Sequence, residues 1–285
     1  MISRRRFLFG AISATASAAA WSGASDHRRN SLAQIEAKVG GRLGVYALNT
    51  ATGHELRHRP DERFAMCSTF KWLLAANVCA RAERAQLSLD ERLPYGTDDL
   101  LEYAPVTRQH LAEGAMSIAA LAAAAVTVSD NTAANLLLTK VGGPSGFTQF
   151  VRSLGDPVTR LDRYEPSLNS NDPADPRDTT SPRAQVSLMR RILCGDALSA
   201  ASQDRLLGWL RACETGKERL RAGLPQTWLV GDKTGSGQRG AINDVAIAVP
   251  PGREPILIAA YLSEGNAELA AAAHAHVGRL VASEL

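Results

Sequence analysis

The sequence predicts an α+β protein. An antiparallel sheet of about five strands, flanked by terminal helices, is built from both ends of the chain, with a helical domain inserted between them. Three observations predict it. Strand-like runs are confined to residues 42–58 and 227–262. The middle of the chain carries Ala- and Leu-rich patterns of helical period. A last amphipathic stretch, 266–283, closes the chain. The expected division is a sheet domain from 25–59 and 206–285, and a helical domain from 60–205 that includes a loop at 160–180.

The elements follow in order. Residues 30–39 read as a short amphipathic helix, stopped by Gly40 and Gly41. Arg42 to Thr50 is a strand, Asn49 to Gly53 a turn, and His54 to His58 the returning strand. Within that hairpin, His54-Glu55-Leu56-Arg57-His58 matches a zinc-protease pattern. That chemistry needs a helix, where two histidines four apart meet at one metal. On a strand they stand about 13 Å apart, so no metal is expected. Residues 66–87 predict the first long helix, and 117–140 a helical region broken at Ser129-Asp130-Asn131. A short helix is expected at 144–154, then a polar, Pro-rich loop over 155–182, and helices at 182–194 and 199–213. Three strands come last: 227–234, 243–249 and 256–262.

Composition narrows the function. The chain has 285 residues, 45% hydrophobic and 21% charged, enough for a large folded core. Ser3-Arg4-Arg5-Arg6-Phe7-Leu8 precedes a short apolar run, and Ser22-Gly23-Ala24 offers a small-x-small cleavage site. This has the form of a twin-arginine export signal over 1–24, so a periplasmic or secreted protein is expected after cleavage near Ala24. The apolar run is too short to serve well as an anchor, and no later segment suits a membrane span. Cleavage removes three of the 32 basic residues and no acid, leaving 29 of each sign. The mature chain is formally neutral, which argues against a nucleic-acid partner. Cys67, Cys79, Cys194 and Cys213 have no metal-ligand spacing and read as free buried thiols.

The chemistry lies in four clusters. Ser68 and Lys71 stand three residues apart at the start of the 66–87 helix, on one face of its first turn. An amine in reach can help take a proton from a hydroxyl, and a helix N-terminus favours negative charge forming there. Only five lysines occur in the chain, so a lysine in a motif carries weight. Taken alone, though, Ser-x-x-Lys is common and reads first as a helix cap beside a solvated lysine; the other clusters reverse that. The other clusters are Ser129-Asp130-Asn131, Glu165-Pro166-Ser167-Leu168-Asn169 in the long loop, and Lys233-Thr234-Gly235 at a strand end.

With all four in this order the sequence resembles the penicillin-binding protein and β-lactamase superfamily, and within it the class A serine β-lactamases. The resemblance spans nearly all of the mature chain. It implies that Ser68 attacks the β-lactam carbonyl, and that Lys71 relays its proton. The backbone N–H groups of Ser68 and Ser236 form the oxyanion hole, and Ser129 protonates the departing nitrogen. Asn131 binds the side-chain amide, Lys233 and Thr234 meet the substrate carboxylate, and Gly235 lets a ligand or backbone approach closely. Glu165, with Asn169, aims the deacylating water. Which of Lys71 and Glu165 first takes the Ser68 proton stays open. Arg163 and Asp178 match the pair that clamps the loop, Asn135 the residue that supports it, and Tyr103 the aromatic at the entrance. Two departures stand out. The family's usual arginine on the strand after Lys-Thr-Gly is Ile242 here, and Arg219 matches an alternative position. Gly237 stands where some carbapenem-hydrolysing relatives have a cysteine that bridges to the position of Cys67, so no such bridge is implied.

The implied function is hydrolysis of penicillins and cephalosporins, with breadth beyond them left open, giving antibiotic resistance. A small-molecule β-lactam substrate, no cofactor, no metal, no nucleic acid, no membrane in the mature form and a monomer are expected. Two alternatives on the same scaffold are a D-Ala-D-Ala peptidase and a stably acylated sensor; the loop carrying Glu165 and Asn169 argues against both.

Overall fold

The computed structural model describes residues 31–285. The proposed export signal therefore lies outside the described residues. Helix α1 spans 31–39. It is followed by β1 (Arg42–Asn49), β2 (Glu55–His58), β3 (Phe64–Ala65) and a 3-10 turn at Cys67–Thr69 that runs into α2 (Phe70–Glu83). The middle holds β4 (Arg92–Pro94), α3 (Pro105–Gln109), β5 (Ala115–Ser117), α4 (Ile118–Thr127), α5 (Asn131–Lys140), α6 (Gly143–Ser153), β6 (Thr179–Thr180), α7 (Pro182–Leu193) and α8 (Ala200–Arg211). The end is α9 (Leu220–Gly223), β7 (Leu229–Ser236), β8 (Ile242–Val249), β9 (Ile256–Ser263) and α10 (Ala267–Glu284).

Five strands form the main sheet in the order β2-β1-β9-β8-β7, every neighbour antiparallel. The first and last strands of the chain thus share a sheet. The central strands β1 and β9 are nearly continuous apolar runs rather than alternating ones because both faces are covered. Val45, Ala47, Ile258 and Ala260 face α1 and α10 through Leu32, Val39, Ala270, Val277 and Val281. Tyr46, Leu48, Leu257, Ala259 and Tyr261 point the other way, into a core shared with Phe70, Trp72, Leu73 and Val186. Residues 70–80 of α2 are all buried. A helix apolar on every side belongs at the centre of a protein, and here it carries the Ser68 turn at its N-terminal end.

Several expectations are corrected. The helix predicted over 66–87 starts as a 3-10 turn and ends at Glu83, where Ala85 takes φ 53°. The strand predicted to end at Thr234 runs on to Ser236, so Gly235 and Ser236 lie within it, on the sheet edge. The short pairs β3–β6 and β4–β5 were not predicted; runs of two or three residues leave no period to read. Cys194 is exposed just past α7, unlike the three buried thiols, and no cysteine is bonded. Among the described residues no helix is long and apolar enough to cross a membrane.

Candidate active site

The Ser68 turn is fixed from three sides. Met66 N–H donates to Asp178 O at 2.9 Å. Asn243 Nδ2, on β8, donates to Ala65 O and Met66 O at 2.9 and 3.2 Å. Thr69 Oγ1 meets the Tyr261 hydroxyl of β9 at 3.0 Å. Cys67 is held at φ 46°, a conformation that side chains rarely adopt and that surrounding structure must enforce. Strand β7 approaches closely: a Cβ on Gly235 would lie 2.7 Å from Met66 O, so only glycine fits.

Around Ser68 the polar groups interlock. Ser68 Oγ donates to Glu165 Oε1 at 3.0 Å. Lys71 Nζ also reaches Glu165 Oε1 at 3.0 Å, and donates to Ser129 O at 2.9 Å and Asn131 Oδ1 at 2.5 Å. Ser129 Oγ accepts from Lys71 Nζ at 3.3 Å and from Lys233 Nζ at 3.1 Å, so one hydroxyl stands between two ammonium groups. Ser129 itself has φ 63°. Ser68 and Lys71, expected on one face of the turn, both meet the same Glu165 oxygen.

Electrostatics follow from burial. Lys71 and Lys233 are both 0% exposed. Burial lowers the Lys71 pKa, with the charge of Glu165 partly opposing. Burial and then the nearby Lys71 charge bring Lys233 down to about 8. Burial pushes Glu165 up, but the Lys71 ammonium and hydrogen bonds from Lys71, Asn169 and Ser68 outweigh it, so its carboxyl stays below the usual range and ionised.

The loop bearing Glu165 is tied at both ends. Asn135 Oδ1 accepts from Glu165 N–H at 3.0 Å, and Asn135 Nδ2 donates to Glu165 O at 2.9 Å. Asn169 Nδ2 donates to Glu165 Oε2 at 2.6 Å. Arg163 Nε pairs with the buried Asp178 at 2.5 Å, while Asp178 Oδ1 accepts the Asp162 and Arg163 N–H groups. Gln238 N–H donates to Asn169 O at 2.8 Å, joining the loop to the β7–β8 turn.

A cleft of about 360 Å³ opens over these groups, lined by Ser68, Tyr103, Ser129, Asn131, Asn169, Thr215, Arg219, Thr234, Gly235 and Ser236. Arg219 is braced on β7 and β8: it donates to Gly235 O at 3.0 Å, Asn243 O at 2.7 Å and Ser236 Oγ at 2.8 Å. Tyr103 is half exposed and donates to Val128 O. All fifteen site residues predicted from sequence thus sit in the cleft, beneath it or in the loop that borders it. Two neighbours were missed. Thr215 Oγ1 meets Thr234 Oγ1 at 2.5 Å, and nothing in its local sequence marks it. Asp130 is the fully buried N-cap of α5 and also accepts both Val106 and Thr107 N–H groups; its place inside Ser-Asp-Asn was the available signal. His54 lies beside β2, and His58, within it, pairs with Glu36 at 2.9 Å; the described residues contain no metal-binding cluster.

Comparison with known proteins matches this architecture. The family model described as the β-lactamase enzyme family covers residues 27–285. β-Lactamase L2 of Stenotrophomonas maltophilia is 49% identical over 251 residues, 87% of this chain and 82% of that protein. The carbapenem-hydrolyzing β-lactamase KPC of Klebsiella oxytoca is 46% identical over 235 residues, 82% of this chain and 80% of that one. The solved structure of the class A β-lactamase of the last common ancestor of Gram-negative bacteria superposes with TM-score 0.88 at 54% identity, covering 90% of this chain and 98% of that one. The chain belongs to the β-lactamase enzyme family, in its class A serine branch.

Proposed function

We propose that the protein hydrolyses the β-lactam amide of penicillins and cephalosporins through a Ser68 acyl-enzyme, and thereby confers antibiotic resistance. The observation that carries this is the convergence of Ser68 Oγ, Lys71 Nζ and Asn169 Nδ2 on the Glu165 carboxylate. Glu165 is ionised and 3.0 Å from the Ser68 oxygen, so it is placed to take that proton, with Lys71 holding the charge balance. Ser68 Oγ then attacks the lactam carbonyl. The N–H groups of Ser68 and Ser236 stabilise the oxyanion, an effect of about 3–4 kcal/mol per donor. Ser129, held between Lys71 and Lys233, passes a proton to the departing nitrogen. Lys233, Thr234 and Arg219, with Gly235 and Ser236 as strand edge, bind the substrate carboxylate, and Asn131 the side-chain amide. Tyr103 borders the entrance. A water held by Glu165 and Asn169 then attacks the ester. Arg163, Asp178 and Asn135 keep the loop in place for that step.

The working cleft lies between the segments 25–59 and 206–285, as one domain, and the helical segment 60–205. Export through the 1–24 signal, cleavage near Ala24 and a monomeric periplasmic form complete the reading. Loss of penicillin followed with purified wild type and Ser68→Ala tests it. Turnover by wild type and none by the variant is expected; equal rates would overturn it.

A further inference from the structure

Behind the cleft floor lie two carboxylates that the reaction does not use. Asp232 on β7 and Asp244 on β8 are each 0% exposed. The register pairs Asp232 with Ala246 and Thr234 with Asp244. The two aspartates therefore point from the same face of adjacent strands, one step apart on the diagonal, and the charge of Asp232 acts on the Asp244 carboxyl. Asp232 Oδ1 accepts from Arg221 Nε at 3.0 Å. Asp244 Oδ2 accepts from Leu220 N–H at 3.1 Å. The remaining oxygens, Asp232 Oδ2 and Asp244 Oδ1, are buried with no partner. Gly216 covers Asp232 Oδ2 so closely that a Cβ there would come within 1.7 Å.

Two ionised carboxylates in that position, each with a bare oxygen, would repel in a dry site. One proton resolves both defects. We propose that Asp244 is a carboxylic acid in the folded protein, that its Oδ1–H donates to Asp232 Oδ2, and that Asp244 thereby acts as a positioning residue for Arg219. The proton stays on Asp244, and no bond to carbon forms or breaks. The pair carries one negative charge, which Arg221 meets, leaving Arg219 uncompensated toward the cleft. Were both ionised, the second charge would offset Arg219 and weaken its attraction for a substrate anion.

The charged and titratable groups around Asp244 agree. Burial and then the Asp232 charge push its carboxyl well above the ordinary range, against Arg219 and Lys233. Burial keeps Tyr261 on β9 protonated and holds the buried His274 on α10 down to about 4, so both are neutral. Cys213, before β7, is likewise kept protonated by burial and by the charge of Asp232.

The effect on substrate rests on the carboxylate-binding reading of Arg219; the shared proton does not. Infrared difference spectra of the whole protein at neutral pH, wild type against Asp244→Asn, separate the two. Expected is a protonated-carboxyl band that shifts in D2O and is lost in Asp244→Asn. Its absence from wild type would overturn the proposal. In parallel, Asp244→Asn keeps a donor without a charge, so KM for a penicillin should stay within about threefold at pH 7. Wild-type KM should rise at alkaline pH more steeply than that of the variant. A tenfold KM rise in Asp244→Asn at pH 7, with Tm unchanged, would also overturn it. A present band with a KM that ignores Arg219→Ala would instead contradict the carboxylate-binding role alone.

Discussion

Lys71 and Lys233 are each fully buried and share the Ser129 hydroxyl, so the charge of Lys71 bears on Lys233. Lys233, brought to about 8, keeps its charge below that pH and loses it as pH rises through it. KM for a carboxylate-bearing β-lactam should therefore climb above pH 8, and Lys233→Arg should move the climb upward; pH profiles of KM check this. Glu165 has the opposite sign. Its depressed pKa keeps it ionised as pH falls, so kcat should hold through the ordinary carboxylate range and fall only below it.

At the scale of elements, ties between segments set the geometry. Asp130 caps α5 and holds α3 by its Val106 and Thr107 contacts. Asp130→Ala should cost about 3 kcal/mol, since it strips a cap and several charge-assisted hydrogen bonds. Thermal unfolding checks it, with a Tm drop of roughly 6–12 °C. Glu36 joins α1 to β1 and β2, accepting Leu43 N–H and pairing with His58 and Arg59. Burial alone would raise its pKa, but these partners bring it from 4.5 down to about 2. A carboxyl depressed on folding adds stability above its unfolded value and loses it as pH falls through the folded one. The Tm advantage of wild type over Glu36→Gln should thus be full near pH 6 and vanish between about 4.5 and 2.

For the whole molecule, one sheet holds both ends of the chain and delivers Lys233 to a serine on the far side of a helical insert. Asn243 is a bridge between the two, donating to Ala65 O and Met66 O just before Ser68. Asn243→Ala should lower kcat/KM about tenfold by loosening the nucleophile turn, a shift in positioning read by steady-state kinetics. Much of this was legible in the sequence. The long strands and helices announce themselves by period, and the catalytic groups by motif order. What was not legible depends on partners distant in the chain. Thr215 matters only because Thr234 folds beside it. The approach of Glu165 to both Ser68 and Lys71 arises from the long loop closing on Asn135. The early end of α2 depends on Ala85 adopting positive φ, which no alanine advertises.

The central claim is that Glu165 empties the Ser68 acyl-enzyme. Intact mass of the mature protein mixed with a penicillin, beside Glu165→Ala, tests it most directly. Wild type should consume substrate without a lasting adduct, while the variant accumulates one on Ser68 and slows by about 10²–10⁴-fold. A wild type that itself stays acylated, or a variant that clears its adduct as fast as wild type, would contradict the account.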